Sequence, residues 1–365
     1  MQKIEHILNS FCTYGDLESY KGFGTGHINN TYVATRNQGG TLVRYTHQRI
    51  NKNVFKKPDE VMQNIHNATA HIAQKLSQAG KNDVSRRTLL VVPTKDNKLF
   101  YIDEEGEYWR TYLFVEKAHT LEVMENAELA YKVGRAVGLF QEQLADYNGP
   151  RLFDTIPRFH DMRWRYEQFD EALKNDPKKR AASVQAEIDF MQENRERGMI
   201  LIDGLQNGKL RECITHNDTK LNNILFDDET GEAICMIDLD TVMPGSLLFD
   251  TGDLIRTATN TGAEDEIDLT KVSFDFELFK PLIKGYIEVA GSVLSDYEKS
   301  LIPESGRNFA QIMGLRILTD YINGDVYYKI EHETHNIERA RTQIKLMQSM
   351  DEQWEIVQDF MKNLV

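Results

Sequence analysis

Cysteine is scarce in this sequence, and its placement restricts what the chain can be. The 365 residues contain only Cys12, Cys213 and Cys235, which are odd in number and far apart. That pattern is typical of a protein in a reducing compartment. Cys213 precedes His216 by three residues, but one such pair is far short of a zinc ligand set.

Long apolar runs and basic runs are also missing. The longest apolar runs, such as Leu-Leu-Val-Val at 89–92, are too short to span a bilayer. The first fifteen residues lack the basic and apolar regions of a signal peptide. The 43 Lys and Arg residues against 57 Asp and Glu residues give a net charge of −14. We therefore expect a cytoplasmic protein that binds neither nucleic acid nor an anionic membrane, and no protein partner is implied.

The chain does contain the apolar material that folded cores require. It is 41% hydrophobic, with 17 Phe and 15 Tyr, so disorder is not expected as its main state. A length of 365 residues favours two domains over one.

The hydrophobic periodicity changes near residue 116. Before that point, alternating segments predict strands at 20–23, 30–35, 41–45, 88–92, 99–102 and 108–115, with helices at 2–12 and 59–79. After it, helical spacing dominates, notably at 125–146, 162–173, 188–205 and 275–364. The pattern predicts an α+β protein: a small β-rich N-terminal lobe (1–116) with one main helix, and a large, mainly helical C-terminal lobe (117–365).

The most informative stretch is ITHNDTKLNNILFD at 214–227. Within it His216, Asp218 and Asn223 fit the pattern H-x-D-x-x-x-x-N. Twenty residues after Asp218, the apolar segment ICMIDLD at 234–240 runs into Asp238. Two neighbouring strands joined by a turn near 227–231 would bring Asp218, Asn223 and Asp238 together at one end.

That grouping of oxygen ligands is typical of phosphoryl transfer. One carboxylate, Asp218, accepts the proton of the acceptor hydroxyl, while Asp238 and the amide of Asn223 hold Mg²⁺ on the phosphates. His216 is interpreted as a brace for the loop. The alternative is an Asx-rich turn between two strands, which the apolar strand ending in Asp238 makes less favourable.

A glycine-rich segment, YKGFGTGHINNTYVA at 20–34, lies upstream. Gly22, Gly24 and Gly26 alternate between two strand-like runs. A dinucleotide-binding fold would need a helix after the glycines, whereas β-branched and aromatic residues follow here. We therefore expect a hairpin that covers phosphates.

Four segments together resemble a known family: GFGTGHINNTY, THNDTKLNNIL, IDLDTVMPGSLLFDTGD and RTQIKLMQSM. They are similar to those of bacterial N-acetylhexosamine 1-kinases, in the aminoglycoside phosphotransferase/choline kinase-like group of protein-kinase-like folds. The resemblance extends over nearly the whole chain and is most specific at 214–253. It implies a bilobal fold and transfer of the γ-phosphate of ATP, with Mg²⁺, to the anomeric hydroxyl of N-acetylglucosamine or N-acetylgalactosamine.

The resemblance also implies residue roles. Asp218 matches the catalytic base, and Asn223 and Asp238 match the metal ligands. The nucleotide site would comprise the glycine residues 22, 24 and 26 and the adenine-binding connector Phe114, Val115, Glu116 and Lys117.

For the sugar pocket the resemblance suggests His27, Arg316 and Tyr327, besides Asp218. Each of the three has a plainer interpretation. His27 suits an ordinary turn, Arg316 suits an i,i+4 pair with Asp320, and Tyr327 suits a core position. Fixed donors and rings are what a pocket that discriminates sugar hydroxyls requires.

One departure from the kinase-like pattern concerns the third strand, where a phosphate-binding Lys is usual. The comparable place in VRYTHQRIN at 43–51 carries Gln48 beside Arg49, so the phosphate-binding residue stays open. The role of Asp240 is also open, between metal binding and capping a turn. Asp250 and Asp253 resemble a structural helix N-cap pair.

Two other functions remain open at this stage. One is a kinase for another hydroxyl compound, such as an aminoglycoside, homoserine or choline. A cationic acceptor needs a pocket lined by carboxylates or aromatic rings, and the acids at 167, 170 and 171 are expected on an exposed helix face instead. The other is a nucleotide-binding pseudokinase, favoured by the missing Lys and disfavoured by the complete set of Asp218, Asn223 and Asp238.

Overall fold

The α+β class expected from the sequence is confirmed in a computed structural model, which describes residues 2–24 and 29–364. Strands concentrate in the first third of the chain. In these two ranges the strands are β1 (Asp16–Gly22), β2 (Asn30–Gln38), β3 (Thr41–Arg49), β4 (Tyr101–Ile102), β5 (Tyr108–Leu113), β6 (Ala118–His119), β7 (Cys213–Thr215), β8 (Ile224–Asp227), β9 (Ala233–Met236) and β10 (Met243–Gly245).

Helices make up most of the chain after residue 126. Within the described residues the α-helices are α1 (Gln2–Leu8), α2 (Pro58–Gln78), α3 (Val84–Arg87), α4 (Ala127–Leu144), α5 (Met162–Asn175), α6 (Gln185–Glu193), α7 (Arg195–Gly198), α8 (Ile200–Gln206), α9 (Leu247–Ala258), α10 (Phe276–Ala290), α11 (Asp296–Ser300), α12 (Ile302–Asn323), α13 (His335–Glu352) and α14 (Trp354–Leu364). The expected helical region at 275–364 and the single long N-terminal helix are confirmed.

The N-terminal strands form one antiparallel sheet in the order β1-β2-β3-β5-β4. The predicted glycine hairpin is confirmed, because β1 pairs with β2 and Gly22 lies opposite Tyr32. Across the next strands, Gln48 pairs with both Thr31 and Arg110. A second sheet, β6-β8-β9, holds the hairpin that carries Asn223 and Asp238 at its ends.

Two compact units are distinguished by their internal contacts. The first consists of 1–121, 143–157 and 222–244, and the second of 122–142, 158–221 and 245–365. The boundary that the sequence predicts after residue 116 stays a prediction. In the first unit, Ile7, Phe11 and Trp109 form a core that the sheet and the N-terminal helix share.

The second unit is built around α9 and α12, which are buried along nearly their whole lengths. Two glycines permit the close approach of these helices. A Cβ on Gly252 would lie 2.6 Å from Phe309, and a Cβ on Gly306 would overlap the side chain of Ile255. Because protein interiors are close-packed, any side chain at either position would force the helices apart.

One predicted strand is wrong. Residues 88–92 were expected to form a strand, but they form an irregular segment with an isolated bridge from Val91 to Tyr112. The short helix α3 ends at Arg87, immediately before this segment. Its backbone still reaches β5 through hydrogen bonds from Val92 N to Thr111 O at 2.8 Å and from Leu113 N to Leu90 O at 3.0 Å.

Candidate active site

Asp218 lies in a short loop directly after β7. Its side chain is 26% exposed, whereas His216 and Thr219 on either side are fully buried. Asn217 has φ of 65°, in the left-handed region, which Asn tolerates better than most residues. The polar loop residues are therefore packed into the second unit, and Asp218 retains access to solvent.

The loop is held by one carboxylate from helix α9. Asp250, which is fully buried, accepts hydrogen bonds from the backbone N–H of His216 at 3.0 Å and of Asn217 at 2.7 Å. Its own carbonyl accepts a bond from the Thr219 hydroxyl at 2.6 Å. Burial raises the pKa of Asp250, although the electrostatic interaction with His216 and the two backbone donors oppose the shift.

The interpretation of Asp250 and Asp253 as an N-cap pair is wrong. The cap of α9 is Ser246, whose hydroxyl accepts from Leu248 N, so the helix begins one turn earlier than expected. Asp250 thus lies in the first turn, facing the loop, and Asp253 forms a buried pair with Arg256 at 2.7 Å. The expected structural character is confirmed, but the partner of Asp250 is the Asp218 loop.

His216 contributes to the same frame. Its Nδ1 lies 3.3 Å from the backbone N of Asp218, from which it accepts a hydrogen bond, and its ring packs edge-on against Phe140. These contacts agree with a brace for the loop. Sequence reasoning had no signal for the 33-residue separation between Asn217 and Asp250, because nothing local links them.

A lysine adjoins the carboxylate of Asp218. The Lys220 ammonium lies 2.8 Å from Asp218 Oδ1. Burial lowers the pKa of Lys220, but Asp218 and Asp253 outweigh it, so the pKa of Lys220 is raised and the ammonium stays charged. The sequence motif alone assigned no role to Lys220.

Asn223 and Asp238 lie at the same end of the β8–β9 hairpin. The carbonyl of Asn223 accepts a hydrogen bond from Ile237 N at 2.9 Å, one residue before Asp238. Asn223 is buried, while Asp238 is exposed and has φ of 58°, again left-handed. One carboxylate and one amide oxygen are hard ligands that fit Mg²⁺, which usually takes its remaining positions from phosphates and water. The described residues contain no group of three His, Cys, Asp or Glu side chains that would form a complete metal site by themselves.

Gln48 and Arg49, the two candidates on β3 for the phosphate-binding residue, have different environments. Gln48 accepts a hydrogen bond from Arg110 Nε at 2.9 Å and donates to the Thr31 hydroxyl at 3.0 Å. Arg49 pairs with the exposed amide of Asn30 at 2.7 Å. Both ends of the Gln48 amide are therefore engaged within the sheet.

The glycine-rich hairpin is described only in part. Gly22 ends β1, and Gly24 has φ of 79°, a conformation that disfavours any residue with a Cβ. Gly26 and His27 lie outside the described residues. Between the two described glycines, Phe23 packs edge-on against Phe114, with ring centroids 5.7 Å apart. The hairpin therefore contacts the predicted adenine-binding connector.

The connector itself is held by arginines. Arg44 lies over the ring of Phe114 at 4.0 Å and forms a two-pronged ion pair with Glu116. Arg86 donates to the carbonyl of Glu116 at 3.0 Å and to that of Lys117 at 3.0 Å. Val115 is buried. The connector is thus a fixed element of the first unit.

The predicted sugar-pocket residues Arg316 and Tyr327 are in the second unit. Within the described part of the chain, Arg316 forms no ion pair with Asp320. Asp320 instead accepts hydrogen bonds from the backbone N–H groups of Val326 and Tyr327 and, on its other oxygen, of Tyr328. Tyr327 is 63% exposed, which excludes a core position.

Sequence reasoning missed a cationic and aromatic cluster beside these residues, which we call the arginine cluster: Arg165, Arg316, Phe159 and Tyr328. Arg316 lies 5.2 Å over Phe159 and 6.0 Å over Tyr328. Neither arginine forms an ion pair with any residue in 2–24 or 29–364. Among the same residues, Arg165 Nε and the Tyr328 hydroxyl are buried without a hydrogen-bond partner. Burial, and then the charge of Arg316, lowers the pKa of Arg165 to about 9, so it remains protonated at neutral pH.

His160 connects the arginine cluster to the Asp218 loop. Its Nε2 donates to the carbonyl of Asn217 at 3.2 Å, and its ring lies 4.3 Å from Phe159. Burial, reinforced by Arg316, lowers the pKa of His160 to about 3. The imidazole is therefore neutral and adds no positive charge to the two guanidinium groups of the cluster.

Comparison with known families and structures agrees with the expected group. The family model described as the phosphotransferase enzyme family (APH) matches residues 19–277, more than two thirds of the chain. That range contains the glycine hairpin, the Asp218 loop and the β8–β9 hairpin.

Solved structures share the fold at low sequence identity. A microcompartment-associated aminopropanol kinase is 16% identical with a TM-score of 0.62, and the match covers 98% of each chain. A spectinomycin phosphotransferase in complex with ADP and spectinomycin is 13% identical with a TM-score of 0.57, covering 96% of this chain and 98% of that one. A choline kinase from Cryptosporidium parvum is 16% identical with a TM-score of 0.53, covering 94% and 91%. These similarities confirm the protein-kinase-like fold.

Across the described ranges, no helix is both long enough and apolar enough to cross a bilayer.

Proposed function

Because this chain belongs to the phosphotransferase enzyme family, we propose that it transfers the γ-phosphoryl group of ATP to a small hydroxyl acceptor. We propose further that the acceptor is an N-acetylhexosamine, N-acetylglucosamine or N-acetylgalactosamine. The reacting group is then the anomeric C1 hydroxyl, and the product is the sugar 1-phosphate. The segments that resemble N-acetylhexosamine 1-kinases support this assignment.

The single observation that carries the proposal is the fixed placement of Asp218. Two backbone N–H groups on its N-terminal side are bound to Asp250, and Lys220 is paired with its carboxylate. A base that removes a proton from a hydroxyl must be held in position, and phosphoryl transfer depends mainly on positioning and electrostatics. Asp218 meets that requirement, and it is accessible to solvent.

The first unit would bind the nucleotide. Its glycine hairpin and the connector at 114–117 would hold the triphosphate and the adenine, while Asn223 and Asp238 would hold Mg²⁺. When bound, Mg²⁺ neutralises the charge that develops on the phosphates. The exposed carboxylate of Asp238 and the buried amide of Asn223 provide hard oxygen ligands for it.

The local charge of the arginine cluster favours a neutral acceptor. Arg165 and Arg316 lack carboxylate partners among the described residues, and His160 beside them is neutral. Two acids on helix α5 are engaged elsewhere, since Glu167 pairs with Arg158 and Asp170 pairs with Arg195, and the third, Glu171, is exposed. A cationic acceptor would experience repulsion here, whereas sugar hydroxyl and acetamide oxygens can accept from guanidinium donors.

A kinase for an amino alcohol or aminoglycoside is the second candidate. It is favoured by the solved proteins of the same fold, which include an aminopropanol kinase, a choline kinase and a spectinomycin phosphotransferase. A nucleotide-binding pseudokinase is a third, favoured by the absence of a Lys at the β3 position.

ADP release measured against a panel of acceptors separates the three. The panel comprises N-acetylhexosamines, the corresponding hexoses, aminoglycosides, choline, ethanolamine and homoserine, each with ATP and Mg²⁺. We expect turnover on N-acetylhexosamines, and phosphorus NMR of the product should show a phosphate on C1. Turnover confined to amines would refute the sugar assignment, and ADP binding without turnover on any acceptor would favour the pseudokinase.

A further inference from the structure

A buried ion pair in the first unit explains both features that the sequence left open, the role of Asp240 and the missing Lys on β3. Arg110 on β5 is paired with Asp240, and their side chains are 1% and 4% exposed. Asp240 lies in a single 3-10 turn, Leu239–Thr241, which directly follows the predicted metal ligand Asp238. We call residues 238–241 the metal loop. Asp238 is exposed while Asp240 points into the protein.

Both oxygens of the Asp240 carboxylate are engaged. Oδ1 accepts from Arg110, and Oδ2 accepts from Asn29 Nδ2 at 2.6 Å. The backbone carbonyl of Asp240 accepts from the Thr155 hydroxyl at 3.2 Å. Residues 238–241 are therefore held in place through Asp240, which accepts hydrogen bonds from Arg110, Asn29 and Thr155.

Arg110 is in turn set by the sheet. Its Nε donates to Gln48, which donates to Thr31, so a row of hydrogen bonds crosses β5, β3 and β2 between directly paired positions. Gln48 stands where the kinase-like pattern has a Lys. The cation bound to Gln48 is Arg110 from the neighbouring strand, and its charge faces the carboxylate of Asp240.

Asn29 extends the connection to the glycine-rich hairpin. Besides donating to Asp240, it accepts from Asn51 N at 3.0 Å through Oδ1. It precedes β2 directly. Asp240 thus links the metal loop to the far end of the hairpin that is proposed to cover phosphates.

We propose that Arg110, acting through Asp240, is the positioning residue for the loop that carries the metal ligand Asp238. Resting on the proposed ATP- and Mg²⁺-dependent function, this assigns to Arg110 and Asp240 a role in nucleotide–metal binding. Gln48 does not take over the direct phosphate contact of the β3 lysine in related folds, because its side chain is bound to Arg110. A buried ion pair could alternatively serve stability alone.

The dissociation constants for Mg²⁺·ADP and for metal-free ADP, measured by calorimetry, distinguish these two roles. In Arg110→Met, Mg²⁺·ADP should bind about 10–100-fold more weakly, the range typical of residues that orient metal ligands. Metal-free ADP should bind as in the wild type. Arg110→Lys can still pair with Asp240 but lacks the second contact to Gln48. Its affinity for Mg²⁺·ADP should therefore lie between those of the wild type and Arg110→Met.

Arg36→Met is the matched control. Arg36 is also a buried arginine of the same sheet, 4% exposed, but it binds Asn9 and the carbonyl of Gly15. Its loss should lower thermal stability and leave the ratio of the two dissociation constants unchanged. An unchanged ratio in Arg110→Met, or an equal change in Arg36→Met, would overturn the positioning role.

Further variants keep the test decisive. If Arg110→Met does not fold, Asp240→Asn and the double variant Arg110→Gln/Asp240→Asn replace it. The double variant should recover stability relative to either single variant, because no buried charge is left unpaired, but it should keep the weakened Mg²⁺ preference. If the double variant recovers both its stability and the wild-type preference for Mg²⁺·ADP, the ion pair serves stability only. A wild type that binds Mg²⁺·ADP but phosphorylates no acceptor would refute the proposed function and leave this inference standing.

Discussion

Asp250 Oδ1 lies 2.7 Å from the backbone N of Asn217, so a carboxylate on helix α9 fixes the residue that precedes the predicted base. The second oxygen, Oδ2, accepts from Gln141 at 3.2 Å, and Gln141 accepts from Tyr286. Hydrogen bonds thus connect the Asp218 loop, through Asp250, to Gln141 on α4 and Tyr286 on α10. The position of Asp218 is therefore set by three helices of the second unit.

Asp250→Asn should impair both stability and turnover. The amide has one acceptor oxygen for the two backbone donors, so one buried N–H loses its partner, at a cost of about 1–3 kcal/mol in unfolding free energy. The loop should shift, and kcat should fall more than KM. Urea unfolding and steady-state kinetics measure the two effects. Ser295→Ala, which removes the N-cap of α11, is the control that should lose stability while kcat is kept.

Asp218→Asn removes the proposed base with little change in size. We expect kcat to fall by about 10²–10⁴-fold, because a positioned general base contributes on that scale. ADP affinity should be retained. The exposed pair of Asp203 with Arg163 supplies the control, since Asp203→Asn should leave kcat unchanged. Near-normal turnover in Asp218→Asn would remove this residue from the base role.

Asp238→Ala should abolish Mg²⁺-dependent turnover, because the variant lacks the only carboxylate proposed to bind the ion. Turnover and ADP binding measured over a series of Mg²⁺ concentrations test this. Asp154→Ala, an exposed acid of the same unit that pairs with Arg151, should behave as the wild type. Activity retained at low Mg²⁺ would refute the ligand role of Asp238.

Arg165→Gln should raise the KM for the sugar by about tenfold or more and leave the KM for ATP unchanged, as expected for loss of a charged hydrogen-bond donor. Amines should become less disfavoured as competing ligands, because one repulsive charge is gone. Arg163→Gln on the exposed face of the same helix is the matched control. Equal effects of the two substitutions would place Arg165 outside the acceptor site.

Two buried histidines should destabilise the protein in acid. Burial, reinforced by a nearby arginine, lowers the pKa values of His47 and His160 to about 3. Their unfolded forms take up a proton near pH 6.5 and the folded forms only near pH 3. The folded state is therefore not penalised by these histidines above pH 6.5, and the free energy of unfolding decreases as the pH falls from about 6.5 towards 3. Each histidine should reduce the unfolding free energy by about 1.4 kcal/mol per pH unit below about pH 6.

Urea unfolding at pH 7, 6 and 5 measures this slope. His160→Gln should make the slope shallower, because one of the two proton-binding groups is removed from the unfolded state. A slope that His160→Gln does not alter would show that His160 is not buried as a neutral ring.

Local features were predictable from the sequence to different extents. The glycine hairpin and the long helix α2 follow from short-range periodicity and turn residues, and the structure confirms them. The strand at 88–92 was predicted wrongly, because an apolar segment can pack against a neighbouring strand without continuous pairing. The start of α9 was also misplaced, since both Ser246 and Asp250 are acceptable capping residues by type.

By itself, the sequence determined the α+β class, the hairpin, and the spacing that places Asn223 and Asp238 at one end of two strands, because these depend on residues within about twenty positions of each other. Only the tertiary structure decided which distant side chains meet. Arg110 and Asp240 are 130 positions apart, and Asp250 lies 33 positions from Asn217. Such partners are chosen by how the packed elements bring buried charges and backbone donors together, since each must be satisfied once water is excluded. No pattern along the chain encodes that choice.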